Sequence, residues 1–262
     1  MQFNVEWLRQ WVAIDPDAER LAARLTAAGL EVDDMRPVAG VFSDVVVAEI
    51  EACDAHPDAD KLRVCTVNDG GAERLQIVCG APNARPGIRV PLARVGAVIG
   101  PDFKIRKAKL RGVESHGMLC SARELGLGES HEGLMTLPGD VVTGMGLYEA
   151  LDLDDTLIEI DLTPNRGDCF SILGIARETA VKSGKTLKWP ELPAVEPEID
   201  TTFPIDVEAP EACPRFCGRV IQGIDPAART PGWMQEKLRR SGIRSISPVV
   251  DITNYVMMEL GQ

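Results

Sequence analysis

The first 30 residues carry apolar positions at the spacing of two short amphipathic helices. Asn4 can cap the first helix, and Asp15 followed by Pro16 is typical of the start of the second. Gly29 is placed to end the second helix in a left-handed conformation. The apolar faces consist of Trp7, Leu8, Trp11 and Val12 in the first helix and Leu21 and Leu25 in the second. Helices this short cannot bury those faces alone, so we expect a packing partner elsewhere in the chain.

From Val41 the pattern changes to short β-branched or alternating segments, which are typical of strands. The predicted strands are residues 45–50, 62–67, 75–78 and 90–93. Gly, Pro, Asn and Asp separate them, at residues 68–71, 81–83, 85–87 and 100–102. Short strands at this spacing, without long helices between them, predict a small barrel or sandwich.

After residue 150 the pattern becomes mixed. We predict a strand within residues 157–160 and then a helix that Asp168 caps and Gly184 ends, with Ile172, Ile175, Ala176 and Thr179 at helical spacing. Residues 185–210 contain five prolines and several acids, which favours a linker. A strand at 219–221 and a helix from Thr230 to Gly242 follow. The apolar run at 255–258, just before the last residues, predicts a truncated protein.

The charge distribution is uneven. The formal net charge of the 262 residues is −12, which taken alone argues against a nucleic-acid partner. Between Arg85 and Arg123, however, nine basic residues stand against two acidic ones, a local net charge of +7. Such a stretch is either a solvated basic face or a groove that follows phosphates on an otherwise acidic protein. Charge alone does not decide between them.

Other features exclude several classes of protein. There is no run of about 18 apolar residues that could span a membrane, and the first residues lack the pattern of a signal peptide. The seven cysteines are odd in number and scattered, which favours reduced thiols and a cytoplasmic location. Only Cys213 and Cys217 are close together, too few for a zinc site, so we predict no bound metal.

Three stretches, in this order, resemble the tRNA-binding module found in several tRNA-handling proteins. They are HPDADKLRVC at 56–65, IVCGAPN at 77–83 and KIRKAKLRGVESHGMLCS at 104–121. The candidate tRNA-binding residues are the cations Lys61, Arg63, Lys104, Lys109 and Arg111 and the polar residues Asn83, Ser115 and Ser121. A simple turn is the alternative interpretation of Asn83. Phe103 is the only Phe, Tyr or Trp between Phe42 and Tyr148, which favours recognition of shape and backbone over stacking of bases.

The flanking residues resemble one family that contains this module, the bacterial phenylalanyl-tRNA synthetase β subunits. The matching segments are WLRQWV at 7–12, AAGLEV at 27–32 and DLTPNRGDC at 161–169. The resemblance implies a multi-domain α+β protein. In it, residues 1–39 and 151–190 form a small discontinuous domain, and an OB-type β-barrel at 40–150 is inserted into it. Residues 191–210 are a linker, and 211–262 are the truncated start of an editing domain.

The last segment resembles the family's editing domain, which hydrolyses tyrosine wrongly attached to the phenylalanine tRNA. APEACPRF at 209–216 and VVDITNYV at 249–256 carry this likeness. The resemblance places Arg244, Thr253 and Asn254 in a partial editing pocket. A surface cation and a turn residue are the alternatives for Arg244 and Asn254. The family's further editing residues lie beyond Gln262, so we expect this segment not to edit.

The resemblance implies a subunit of an α₂β₂ ligase that uses ATP and Mg²⁺ to join phenylalanine to its tRNA. The α subunit carries that reaction in the family, so this segment should hold no catalytic residue and no cofactor, and should contribute tRNA binding. Two alternatives remain: a free-standing tRNA-binding or chaperone-like protein, and a structural docking module for the α subunit.

Overall fold

A computed structural model describes residues 1–14, 17–128 and 132–262 of the protein. The chain divides into two units, Met1–Lys188 with Thr230–Gln262, and Trp189–Arg229. The strands are β1 (Gln2–Asn4), β2 (Glu31–Pro37), β3 (Phe42–His56), β4 (Ala59–Asn68), β5 (Leu75–Cys79), β6 (Arg89–Ile99), β7 (Phe103–Lys104), β8 (Ala108–Leu110), β9 (Val113–Ser115), β10 (Met118–Leu119) and β11 (Thr156–Asp161). The helices are α1 (Val5–Trp11), α2 (Ala18–Ala27), α3 (Leu147–Ala150), α4 (Ile172–Ser183), α5 (Gly232–Arg240) and α6 (Pro248–Leu260).

Helices α1 and α2 begin and end close to the predicted positions. Asn4 occupies the cap position of α1, but its side chain donates to the Asp155 carboxylate at 2.6 Å instead of capping the helix. The predicted start of α2 at Asp15 and Pro16 lies outside the described residues, and Asp17 accepts the capping bond from Arg20. Gly29 ends α2 with φ +86°, as predicted.

The apolar faces of α1 and α2 pack against α4 and the small antiparallel sheet β1–β11–β2. These elements come from both sides of the long central segment. The core they share contains Phe3, Trp7, Leu8, Trp11, Leu21, Leu25, Ile158, Ile172, Ile175 and Ala176. The first two helices thereby gain the packing partner that their short length requires.

The central segment forms a sheet in the order β10–β6–β3–β4–β5, with β7 paired to β6. The sheet curls until its last strand meets the segment before β10. The backbone N–H of His116 donates to the Gln76 carbonyl at 2.9 Å, and the Val78 N–H donates to the Ser115 hydroxyl at 3.1 Å. Its buried interior includes Val46, Ile50, Cys65, Val67, Ile77, Val90 and Leu92. All four strands predicted for this segment lie within β3, β4, β5 and β6.

Two local predictions were wrong. Ser171, not Asp168, caps α4, because its hydroxyl accepts the Gly174 N–H at 3.0 Å. The Asp168 carboxylate is engaged instead by the Arg166 guanidinium, at 3.1 and 3.2 Å. No helix or strand forms anywhere in Trp189–Arg229, so the strand expected at 219–221 is absent. An extended segment becomes a strand only when a neighbouring backbone pairs with it, and a local pattern does not report that neighbour.

Helix α5 spans most of the range predicted between Thr230 and Gly242. An ion pair between Arg240 and Asp155, 3.2 Å apart, joins α5 to the part of the fold that contains α1, α2, α4 and the small sheet. The two side chains are only 7% and 1% exposed. The Arg240 guanidinium also donates to the carbonyls of Leu151 (2.7 Å) and Asp152 (3.1 Å). Because the charge is buried and both terminal nitrogens of the guanidinium make hydrogen bonds, this contact fixes the position of α5.

Asp251 joins the start of α5, the following loop and α6. Its carboxylate accepts hydrogen bonds from the hydroxyls of Thr230 and Ser245 and from the Ile246 N–H, the last two at 2.5 and 2.9 Å. Burial raises the pKa of the Asp251 carboxyl, but these hydrogen bonds outweigh burial and the pKa lies below its ordinary value. Asp251 therefore stabilises the fold when ionised.

We expect Asp251→Asn to lower the free energy of unfolding at pH 7 by about 1.5–3 kcal/mol, because an amide cannot replace the charged acceptor. A lowered folded-state pKa gives stability above the unfolded pKa, about 3.9, that is lost as the pH falls through the folded value. The difference in free energy of unfolding between wild type and variant should therefore become smaller below about pH 4. Urea unfolding across this range checks it, and a constant difference would contradict the role of the charge.

Candidate nucleic-acid interface

The first and third motifs lie next to each other in the fold. The first motif forms the turn between β3 and β4, where Pro57 and Asp58 connect His56 to Ala59. The third forms β7, the β8–β9 hairpin and β10. The His56 ring nitrogen Nε2 lies 3.1 Å from the Leu110 carbonyl oxygen, so the β3–β4 turn touches the β8–β9 hairpin.

The β8–β9 hairpin turns through Arg111 and Gly112, with φ of +46° and +88°. Positive φ at both central positions is the type I′ turn, which follows the natural twist of the strands and favours Asn-Gly. Glycine adopts this conformation freely, whereas for arginine it costs roughly 1–2 kcal/mol. The tip of the hairpin thus carries a guanidinium at a position where another residue would fold more easily.

The basic residues of the segment divide into two groups. Some are neutralised within the protein: Arg94 pairs with Asp69 at 2.8 Å, and Lys107 pairs with Glu114 at 2.8 Å. The five cations predicted to bind tRNA are exposed, and no carboxylate of the described residues lies within 4 Å of their charged groups. They are Lys61 and Arg63 on β4, Lys104 on β7, Lys109 on β8 and Arg111 at the hairpin turn. In the first and third motifs, unpaired positive charge therefore lies on β4, β7 and the β8–β9 hairpin.

Sequence reasoning missed two residues here. Arg106, between β7 and β8, is exposed like the chosen cations, and no salt bridge to it occurs within the described ranges. Its position in the third motif was the signal. His56 was part of the first motif but was given no role, because its contact with Leu110 spans 54 residues. Phe103 is 59% exposed beside Lys104, which offers one ring where the sequence suggested few.

The three polar candidates are engaged inside the protein. The Asn83 amide accepts from the Leu134 N–H and donates to the Leu134 carbonyl, at 2.8 and 2.9 Å. The Ser115 hydroxyl, 3% exposed, accepts from Val78 and donates to the Gly117 carbonyl at 3.2 Å. The buried Ser121 hydroxyl donates to the Glu124 carboxylate at 2.8 Å. The structure therefore does not place these groups beside the exposed cations as free donors.

The second motif meets the end of the third at a cleft of about 390 Å³. Its lining includes the small residues Gly80, Ala81 and Gly133 and the polar residues Ser121 and Arg123. All three motifs thus contribute to one region of the central sheet, although Asn83 itself does not line the cleft.

The three candidate editing residues lie apart from these loops. Arg244 is exposed in the connection between α5 and α6, and Thr253 and Asn254 are on α6. The Thr253 hydroxyl donates to the Val250 carbonyl one turn earlier, at 2.8 Å. Within the described ranges no hydrogen bond joins the three residues to one another.

The buried thiols are not suited to nucleophilic chemistry. Burial raises the pKa of Cys120 to about 12, with a smaller contribution from Glu124, and raises the pKa of Cys65 and Cys79 as well. Burial and the hydrogen bond to Asp168 raise the pKa of Cys169 to about 11. These thiols are protonated at neutral pH, and a thiol reacts as its thiolate.

The described residues contain neither a metal-binding cluster nor a membrane-spanning helix. In the ranges 1–14, 17–128 and 132–262 no three His, Cys, Asp or Glu side chains are grouped so that they could hold a metal ion. Across the same ranges, no helix has the length and apolar character needed to cross a membrane.

Two family models match the chain. Residues 45–146 match a putative tRNA-binding domain, which includes all three motifs. Residues 212–262 match the B3/4 domain. Together they cover the central sheet and the last part of the chain.

Solved structures give weak matches. The C-terminal domain of Plasmodium vivax p43 is 24% identical with a TM-score of 0.28, over 38% of this chain and 56% of that one. A MetRS-related protein from Pyrococcus horikoshii is 23% identical with a TM-score of 0.29, over 38% and 85%. At TM-scores this low the likeness supports no conclusion.

Curated relatives match the whole chain. The phenylalanine–tRNA ligase beta subunits of Pectobacterium atrosepticum and Hahella chejuensis are each 56% identical over 262 residues, and that of Coxiella burnetii is 53% identical. In each case the match covers 100% of this chain and 33% of the relative, so the chain spans about one third of their length. By this similarity over all 262 residues of the chain, together with the tRNA-binding and B3/4 matches, the chain belongs to the family of phenylalanine–tRNA ligase β subunits.

Proposed function

We propose that the chain is the tRNA-holding part of a cytoplasmic phenylalanine–tRNA ligase, the enzyme that attaches phenylalanine to its tRNA at the expense of ATP. One observation supports this most directly. Five exposed cations without carboxylate partners among the described residues lie on β4, β7 and the β8–β9 hairpin of a chain whose net charge is −12. An acidic protein that leaves several exposed cations without carboxylate partners is suited to a polyanion.

The proposed fold of residues 40–150 is an OB-type barrel. The strand order and the contacts of β5 with β9 and β10 support this proposal. In OB barrels the second and third strands, together with the loops that flank them, bind nucleic acid. Here the corresponding elements are β4 and β5, the β3–β4 turn and the connection that carries the β8–β9 hairpin. Four of the five cations lie on β4, which follows the β3–β4 turn, and on the β8–β9 hairpin.

The proposed domains around the barrel follow the family. Residues 1–39 and 151–190 form one discontinuous domain, 191–210 form a linker, and 211–262 begin an editing domain. The pairing of β11 with both β1 and β2 supports the first of these. In the editing segment, Arg244, Thr253 and Asn254 remain the candidates for a partial editing pocket.

The proposed roles of the site residues differ. Lys61, Arg63, Lys104, Lys109 and Arg111 contact phosphates of tRNA. Asn83, Ser115 and Ser121 act indirectly, because their polar groups already hold the loops in place. ATP and Mg²⁺ belong to the reaction of the α subunit in an α₂β₂ enzyme, and this segment supplies no residue to them.

Gel filtration tests this function against its alternatives. The 262-residue chain is mixed with phenylalanine tRNA and, separately, with the α subunit. Elution with tRNA at low salt supports the proposal. Elution with the α subunit alone favours a docking module, and elution with neither contradicts both. The exposed, unpaired cations are the observation that favours tRNA.

A further inference from the structure

His56 occupies a buried position between the β3–β4 turn and the β8–β9 hairpin. Its side chain is 5% exposed, and its Nδ1 accepts the backbone N–H of Asp58 at 3.1 Å. Since a backbone N–H can only donate, Nδ1 carries no proton, and the ring proton is on Nε2. His56 therefore donates through Nε2 to the Leu110 carbonyl, 3.1 Å away.

The hydrogen bond from His56 to Leu110 is made next to the turn of the β8–β9 hairpin. Leu110 is the residue before the type I′ turn, between Lys109 and Arg111. The other side of the hairpin is held to β5 through Ser115 and His116. On the β8 side, the bond from His56 is the one hydrogen bond to an element other than β9 that occurs in the described part of the chain.

We infer that His56 is a positioning residue for tRNA binding. It holds the β8–β9 hairpin, with Lys109 and Arg111, against the β3–β4 turn, which leads to Lys61 and Arg63. The four cations then form one phosphate-binding surface instead of two independently moving ones. Binding to a pre-organised surface avoids the entropic cost of ordering the hairpin. This inference rests on the proposed function.

Two substitutions separate the two hydrogen bonds of the ring. In His56→Asn, the amide oxygen can accept the Asp58 N–H in an Asx turn, but the side chain is too short to reach Leu110. In His56→Gln, the longer amide can donate to the Leu110 carbonyl. We expect His56→Asn to weaken tRNA binding roughly three- to tenfold and His56→Gln to stay within about twofold of wild type.

Two further measurements on the whole chain complete the test. Without tRNA, backbone hydrogen exchange at residues 108–112 should be faster in His56→Asn than in His56→Gln. With tRNA, His56→Asn should have little additional effect when Lys109 and Arg111 are already alanine, because it acts through them. A full additional loss in that background would mean that His56 supports the fold in general, and would overturn the inference.

The remaining outcomes distinguish this inference from the proposed function. If the wild-type chain binds tRNA and His56→Asn binds equally well, or if only His56→Gln is weakened, the positioning role is wrong and the function stands. If both variants are weakened, the additivity measurement decides. If the wild-type chain does not bind tRNA at low salt, the proposed function fails and this role fails with it.

Discussion

Replacing Lys104, Lys109 and Arg111 together by alanine is expected to weaken tRNA binding roughly tenfold to a hundredfold at about 0.1 M salt. Each phosphate contact releases counterions, so log Kd depends linearly on log salt, with a slope of about 0.7–0.9 per contact. Losing three contacts should flatten that slope by about two to three. The fold should be unaffected, because all three side chains are exposed.

A matched variant shows whether position matters or only net charge. Arg177, Lys182 and Lys185 are exposed residues on or just after α4, outside the central sheet. Replacing these three by alanine removes the same charge and should leave both the affinity and the salt slope close to wild type. Titration of labelled tRNA at several salt concentrations checks both variants. Equal losses in the two would mean that the interaction is not localised to these loops.

Arg240→Ala is expected to lower the free energy of unfolding by about 3–5 kcal/mol. The substitution leaves the Asp155 carboxylate 1% exposed and without its cation, and it also removes the donors to Leu151 and Asp152. An uncompensated buried charge costs far more than a surface ion pair contributes. Thermal and urea unfolding followed by circular dichroism measure the loss.

The neighbouring arginine provides the control. Arg239 lies on the same helix and pairs with Glu236 at 2.9 Å, three residues earlier and partly exposed. Arg239→Ala should cost only about 0.3–0.5 kcal/mol, as is usual for such pairs. If the two substitutions cost the same, the ion pair between Arg240 and Asp155 does not anchor α5.

The parts of the fold that the sequence predicted depend on local physics. The alternation of apolar and polar residues in 62–67 reports which side of a strand is buried, and this segment lies within β4. Gly29 and Gly184 were predicted to end helices because only a left-handed residue closes the last turn there, and both have positive φ. Such features are set within a few residues of chain.

The parts that were missed depend on contacts between distant residues. Asp168 has the right chemistry for a helix cap, but the nearby Arg166 engages its carboxylate and Ser171 takes the cap. Asn83 lies in a turn, the alternative interpretation, but its side chain bonds Leu134, 51 residues later, which the sequence did not indicate. No periodicity encodes such pairs, because they exist only after the sheet has closed.

The candidate site shows the same division. The cations were found from composition and motif, and their exposure agrees with that choice. The sequence could not predict which cations are neutralised, because partners such as Arg94 and Asp69 come together only in the folded structure. The roles of Ser115 and Ser121 likewise depend on burial, and the polar residue that links the loops, His56, was recognisable only by its contact with Leu110.

The most direct measurement of the central claim is hydrogen exchange of the 262-residue chain with and without phenylalanine tRNA. The backbone amides of residues 58–63 and 103–112 should become protected on binding, whereas α4 should be unchanged. Addition of about 0.5 M salt should remove the protection, because it weakens phosphate contacts. Protection confined to other parts of the chain, or no protection under conditions where tRNA binds, would contradict the assignment of these loops as the tRNA-binding surface.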